Sequence, residues 1–280
     1  RFLTFDDPQT EKQRIIVNNR SWFSASRCHR DDDSGIWPCR ELAAAPARPE
    51  VVVQETTFPE QQEPHLARIV PSLVLVNFSM PYTISGVADR YYYGTGLVVD
   101  AERGWVLVDR NTVPVAIGDV RITFAGSVEI PGRVEYVHPL HNLAIVSYDP
   151  ALIGSTPVRS AEIATEPLRP GRVVTVVGLA PDHNLLSQTA QVASVSEANF
   201  PLSRTLRFRD SNLEVVSLVN GPTDFDGVII DDEGRVLAHW ASFAVESGRD
   251  LAQINMGIQG ELVADMLRHM RSGEPIRSLE

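Results

Sequence analysis

Gly104-Trp-Val-Leu-Val-Asp-Arg-Asn111 is a four-residue apolar strand that runs into a polar turn, and Tyr136-Val-His-Pro-Leu-His-Asn142 leads through a second polar turn into the apolar run Leu143–Tyr148. Each strand is short, rich in β-branched residues and closed by residues that favour turns, so both read as β rather than helix. The same pattern extends outward. Between Leu66 and Ala252 short apolar runs recur, broken by Gly, Pro, Asn or Asp: Val70–Phe78, Gly96–Val99, Val120–Phe124, Val173–Val177, Val215–Val219, Val228–Ile230 and Arg235–Trp240. No helical period interrupts them. This spacing predicts an all-β architecture of two packed six-stranded barrels, about 66–155 and 156–258. The next segment places Leu262, Val263, Met266, Leu267 and Met270 on one helical face, with Gly273 as its stop, which predicts a helix over 259–272.

The chain of 280 residues is 43% hydrophobic and 22% charged, an ordinary balance for a folded protein, and it contains no apolar run of the roughly 20 residues a membrane-spanning helix needs. A net charge of −11 argues against nucleic acid as a partner, because phosphate binding requires clustered Lys and Arg. Arg204, Arg207 and Arg209 alternate along one segment and read as a solvated strand face. The two cysteines, Cys28 and Cys39, are too few for a disulfide framework and lack the companions of a zinc site; a bridge between them and two free thiols both remain open. No membrane insertion, metal or cofactor is expected.

Residues 1–42 hold strand-like pieces, Arg1–Phe5 and Gln13–Asn18, separated by the turn at Asp6-Asp-Pro8. Residues 43–65 shift to Ala, Pro, Gln and Glu and read as a linker, with Val51–Gln54 as a candidate docked strand.

Gly94-Thr-Gly-Leu-Val-Val-Asp100, followed by Gly104–Val113, resembles the opening of HtrA/DegP-like trypsin-fold serine proteases. Tyr136–Val146 resembles the family's second signature, and Thr223-Asp-Phe-Asp-Gly-Val-Ile-Ile-Asp-Asp-Glu-Gly234 resembles the third. The wording of Asp109–Asp119 and His138–Ala144 is more specifically similar to the degenerate second protease-like domain of large multi-PDZ relatives, the fungal nuclear pro-apoptotic type and its bacterial counterparts. That resemblance implies that 1–42 is the tail of a preceding PDZ-like domain, 66–273 a trypsin-like (pseudo)protease domain and 274–280 the lead into another PDZ-like domain. It also implies adjacent PDZ and protease domains of the same chain, unfolded peptides and sister copies as partners. The implied compartment is the nucleus for a fungal source and the cell envelope for a bacterial one.

By the same resemblance Asn111 stands at the general-base histidine, Asn142 at the orienting aspartate and Phe225 at the nucleophile. Peptide hydrolysis by this fold requires a hydroxyl nucleophile, an imidazole that takes its proton and a carboxylate that steadies the imidazolium. An amide has no usable pKa for general-base work, and a phenyl ring has no nucleophilic atom. Loss of the carboxylate alone lowers the rate of such an enzyme about 10⁴-fold. The chain is therefore expected to be an inactive structural or peptide-binding module of a protein concerned with proteolysis and protein quality control. Thr223, Asp224, Asp226 and Gly227 are the candidates for peptide or oxyanion-loop contacts. An active hydrolase with a non-standard constellation is the competing expectation, with Ser217 and Thr223 as nucleophiles and His138 or His141 as base. Asp224, Asp226, Asp231, Asp232 and Glu233 form an acidic run that lacks calcium-loop spacing and reads as a solvated turn.

Overall fold

A computed structural model describes residues 3–7, 12–17, 21–24, 53–80, 82, 89–198, 213–247 and 250–274. Cys28, Cys39, Arg204, Arg207 and Arg209 lie outside them. The chain divides into two units, Arg1–Val52 and Val53–Glu280. In the first, β1 (Leu3–Asp7), β2 (Lys12–Val17) and β3 (Ser21–Ser24) form an antiparallel sheet in that order.

Among its described residues the second unit carries twelve strands in two closed barrels. The first barrel is built from β4 (Leu73–Ser79), β5 (Tyr91–Asp100), β6 (Trp105–Val108), β7 (Asp119–Phe124), β8 (Val128–Val137) and β9 (Ala144–Tyr148), ordered β4-β5-β6-β9-β8-β7. The second is built from β10 (Val173–Leu179), β11 (Leu185–Glu197), β12 (Glu214–Val219), β13 (Gly227–Ile230), β14 (Val236–Ser247) and β15 (Asp250–Gln259), ordered β10-β11-β12-β15-β14-β13. The two orders are the same permutation of six strands. Closure gives every strand a neighbour on each side, so neither barrel has an edge strand, although β14 runs on past the end of its pairing with β13.

The apolar runs are nearly continuous, because many strands bury both faces. On β6, Val106 and Val108 join Val74, Val76, Phe78, Ile122 and Phe124 inside the first barrel, whereas Leu107 points outward to join Leu97, Ile145, Val177, Val228 and Ile230 in the layer between the barrels. The second barrel is filled by Val176, Val192, Val216, Ile229 and Trp240. Gly104 starts β6 at φ +66°, where a Cβ would meet the Tyr148 carbonyl, so the tight entry into this strand needs glycine.

Helix α2 (Gly260–Ser272) stops at Gly273 with φ +69°, a left-handed cap, and buries Val263, Met266 and Leu267 in the layer between the barrels. Its last turn reaches back to the first barrel. Arg271 donates from Nε to Asp100 Oδ2 at 3.1 Å and from Nη2 to the Val99 carbonyl at 3.1 Å.

Three local expectations need correction. Pro64–Ile69 is a short helix, α1, followed by a 3-10 turn over Val70–Ser72, so the strand begins at Leu73 rather than Val70. Pro64 and Pro71 stand in the first turns of these helical pieces, where a missing N–H costs nothing, and both pieces are too short to display a period. Val53 and Gln54 are not strand; this segment docks instead through Gln54 N to the Leu152 carbonyl (3.2 Å) and Thr56 N to Thr156 Oγ1 (3.1 Å).

Candidate functional site: the cleft between the barrels

The turn after β6 is closed by Asp109, whose Oδ1 accepts from Thr112 N at 2.7 Å while its carbonyl accepts from Val113 N at 3.0 Å. A carboxylate that takes a backbone N–H three residues on fixes the start of such a turn. Asp109 is itself buried, and its second oxygen crosses to the other barrel, accepting from Ser242 N at 2.7 Å and Ser242 Oγ at 3.0 Å.

Asn111 and Asn142 converge on that same Ser242. Asn111 Nδ2 donates to Ser242 Oγ at 3.0 Å, and Asn142 Nδ2 donates to the Ser242 carbonyl at 2.7 Å. Asn142 Oδ1 meanwhile accepts from Arg110 N at 2.8 Å. The amide is thus held between a backbone donor and a backbone acceptor, an arrangement that an amide satisfies with both ends and an ionised carboxylate does not. Ser242 Oγ spends its one proton on Asp109 and accepts from Asn111.

Phe225 is not presented to the cleft. Its ring is buried in the core of the second barrel and packs on Gly178, while its carbonyl accepts from Asn255 Nδ2 at 2.7 Å. Thr223 and Asp224, on the same loop, are exposed. Gly227 opens β13 at φ +154°, and a Cβ there would meet the Val177 carbonyl. Asp226 turns the opposite way from Phe225 and crosses to β5, where Oδ1 accepts from Thr95 N at 2.9 Å. Thr95 Oγ1 donates to the Asp226 carbonyl at 3.0 Å and accepts from Leu179 N at 2.9 Å. Gly94 makes room for this contact, since a Cβ there would collide with both Thr112 Oγ1 and Asp226 Oδ2. Desolvation, reinforced by the charge of Asp109, pushes the Asp226 carboxyl up to about 7.

The alternative groups are placed elsewhere. His138 Nδ1 accepts from Leu140 N (3.1 Å) and His141 N (2.9 Å), so this nitrogen carries no proton, and its ring lies 4.4 Å from that of His141. Burial, with the neighbouring His141 and Arg110, lowers His138 to about 4. His141 lies in the turn before β9, not on the strand, so strand alternation does not govern its direction. Ser217 lies on β12 opposite Ser194. Among the described residues no imidazole nitrogen is hydrogen-bonded to a hydroxyl. Asp231 caps the turn at 231–235 through Glu233 N and Arg235 N and pairs with the Arg235 guanidinium, while Asp226 faces the cleft, so the acidic run is two separate structures.

The sequence reading missed Asp109, Thr95 and Ser242. Asp109 was visible as a lone acid directly behind the buried Trp105–Val108 strand, and Ser242 as a hydroxyl directly behind Val236–Ala241. Nothing local ties these residues across the cleft.

No family model matches the chain. A pro-apoptotic serine protease, NMA111, of Debaryomyces hansenii is 31% identical over 281 residues, covering 96% of this chain and 28% of that protein. A PDZ domain-containing protein of Schizosaccharomyces pombe is 30% identical over 272 residues, covering 92% of this chain and 27% of its own. The chain belongs to the HtrA-like, trypsin-fold protease family. It spans under a third of the length of these relatives. Among solved structures, the inactive form of Rv3671c from M. tuberculosis H37Rv superposes with TM-score 0.53 at 21% identity, covering 77% of this chain and 94% of that one. The HtrA-type protease AlgW with a bound tripeptide gives 0.54 at 16%, covering 77% and 65%. These likenesses establish the two-barrel fold.

Proposed function

We propose that this chain is a catalytically silent HtrA-like domain that serves a larger protease as a structural and peptide-binding module. The observation that carries the reading is Asn142, whose amide bridges Arg110 N and the Ser242 carbonyl where an orienting carboxylate would accept an N–H from a histidine. Two further features support it. Asn111 spends its donor on Ser242 Oγ, and Phe225 is part of the barrel core. A groove for extended peptide is placed by this reading beside β14, whose pairing with β13 ends at Trp240 while its pairing with β15 continues to Ser247. Neighbouring PDZ and protease domains, and sister copies, are the expected partners. The nucleus is the expected compartment for a fungal-type protein and the envelope for a bacterial one.

The test is hydrolysis of unfolded casein by the purified chain beside a Ser217→Ala/Thr223→Ala variant. The proposal expects equal background in both. Turnover that disappears in the variant would favour the active-hydrolase reading instead.

A further inference from the structure

His138 holds a proton that no group of the chain accepts. Its Nδ1 takes N–H bonds from Leu140 (3.1 Å) and His141 (2.9 Å), so the proton of the neutral ring sits on Nε2. Among the described residues Nε2 has no acceptor, and it is not sealed from solvent. His141 lies tilted against the same ring with centroids 4.4 Å apart, and its own Nδ1 is buried without a partner. Tyr136 closes the other side, edge-on to His138 at 5.8 Å. Arg110 sends Nη1 to the His138 carbonyl at 3.2 Å. The charges that bear on His138, those of His141 and Arg110, have the same sign. The turn His138-Pro-Leu-His-Asn142 contains no acid, and among the described residues no Asp or Glu pairs with either ring, whereas His65 meets Glu63 and His269 meets Asp265. On a chain of net charge −11 this is a local cluster of donors and cations. Water can serve the outward N–H in the free chain, but a ligand that displaces that water must bring an acceptor of its own.

The cluster borders the groove. Asn142, next to His141, donates to the Ser242 carbonyl at 2.7 Å, and from there β14 runs on past its pairing with β13. An extended peptide added along that stretch turns alternate side chains to opposite faces, so one of them can meet the turn at 138–142. We propose that His138, His141 and Arg110 form a subsite at the margin of this groove that takes one Asp or Glu side chain of an extended peptide, the carboxylate accepting from His138 Nε2 and lying beside the Arg110 guanidinium. The inference rests on the reading of the cleft as a peptide groove. An amide side chain also offers an acceptor, but only a carboxylate gains from the neighbouring cations as well, so the subsite distinguishes Glu from Gln.

Acetate supplies the carboxylate alone. In an NMR titration of the 280-residue chain at neutral pH and fixed ionic strength, acetate replaces chloride while the histidine Cε1–H signals, assigned with single His→Gln variants, are followed. The expected result is a saturable shift at His138 and His141 and none at His65 or His269, which already have carboxylate partners. Shifts that never saturate, or that all four rings share, would overturn the subsite. Fluorescence anisotropy then compares two labelled decapeptides of alternating Val and Ser that differ only in a central Glu or Gln. The Glu peptide should bind about tenfold more tightly, the scale of one charge-assisted hydrogen bond, and the advantage should narrow in His141→Gln. Equal affinities would overturn the reading of acid and leave the groove. If neither peptide binds while acetate saturates at His138, the carboxylate subsite stands and the groove reading fails.

Discussion

At Asn142 a single side chain faces backbone groups of opposite sense, Arg110 N on one side and the Ser242 carbonyl on the other. Asn142→Asp, the change that would nominally restore the orienting acid, places a carboxylate oxygen against that carbonyl and removes the donor. It should cost about 1–3 kcal/mol at neutral pH, with partial recovery on acidification because a protonated carboxyl can donate again. Urea midpoints of the N142D variant at two pH values check this, and an unchanged midpoint at neutral pH would contradict the amide's role. In the sequence Asn111, Asn142 and Phe225 draw notice only through a resemblance, as expected departures from a family pattern. What the two amides touch is not legible there, because Ser242, on which both converge, lies 100 or more residues further along the chain.

Among the elements, α2 shows how a local pattern acquires a distant purpose. The spacing of Val263, Met266 and Leu267 gave its buried face and Gly273 its end, but only the fold brings Arg271 against Asp100 and the Val99 carbonyl. Burial opposes ionisation of Asp100, yet Arg103 N and the guanidiniums of Arg271 and Arg103 together hold it below the ordinary carboxylate range. That stabilisation is present above the unfolded pKa and is lost as pH falls through the lower folded value. Arg271→Ala should cost about 1–2 kcal/mol and loosen the last turns of the helix first, read as faster hydrogen exchange at 266–272 than at the barrel strands. Uniform protection would show that the apolar face alone holds the helix. The short helix at Pro64–Ile69 lay beyond a sequence reading for a simple reason: a helix of less than two turns offers no period to detect.

For the whole molecule, the barrels were legible because strands buried on both faces leave near-continuous apolar runs, whereas the cleft between them was not, because its partners come from loops far apart in the chain. The cleft and its margin also govern the response to acid. Burial holds His239 below the ordinary imidazole value, and His138 is lowered to about 4 with its Nδ1 already committed as an acceptor. Groups with depressed values must gain protons on unfolding, so stability should fall as pH drops from about 6.5 toward 4. The fall should be steeper in an Asp226→Asn variant, which lacks a carboxyl that burial pushes up to about 7 and that opposes this trend, and a midpoint independent of pH in that variant would contradict the assignment of buried neutral histidines. The central proposal is that this trypsin-fold domain carries no working nucleophile. Its most direct test is intact-mass analysis of the chain after exposure to a fluorophosphonate, beside an active HtrA-type protease as control. The account predicts a labelled control and an unmodified chain; a single stoichiometric adduct on a serine or threonine of the cleft would contradict it.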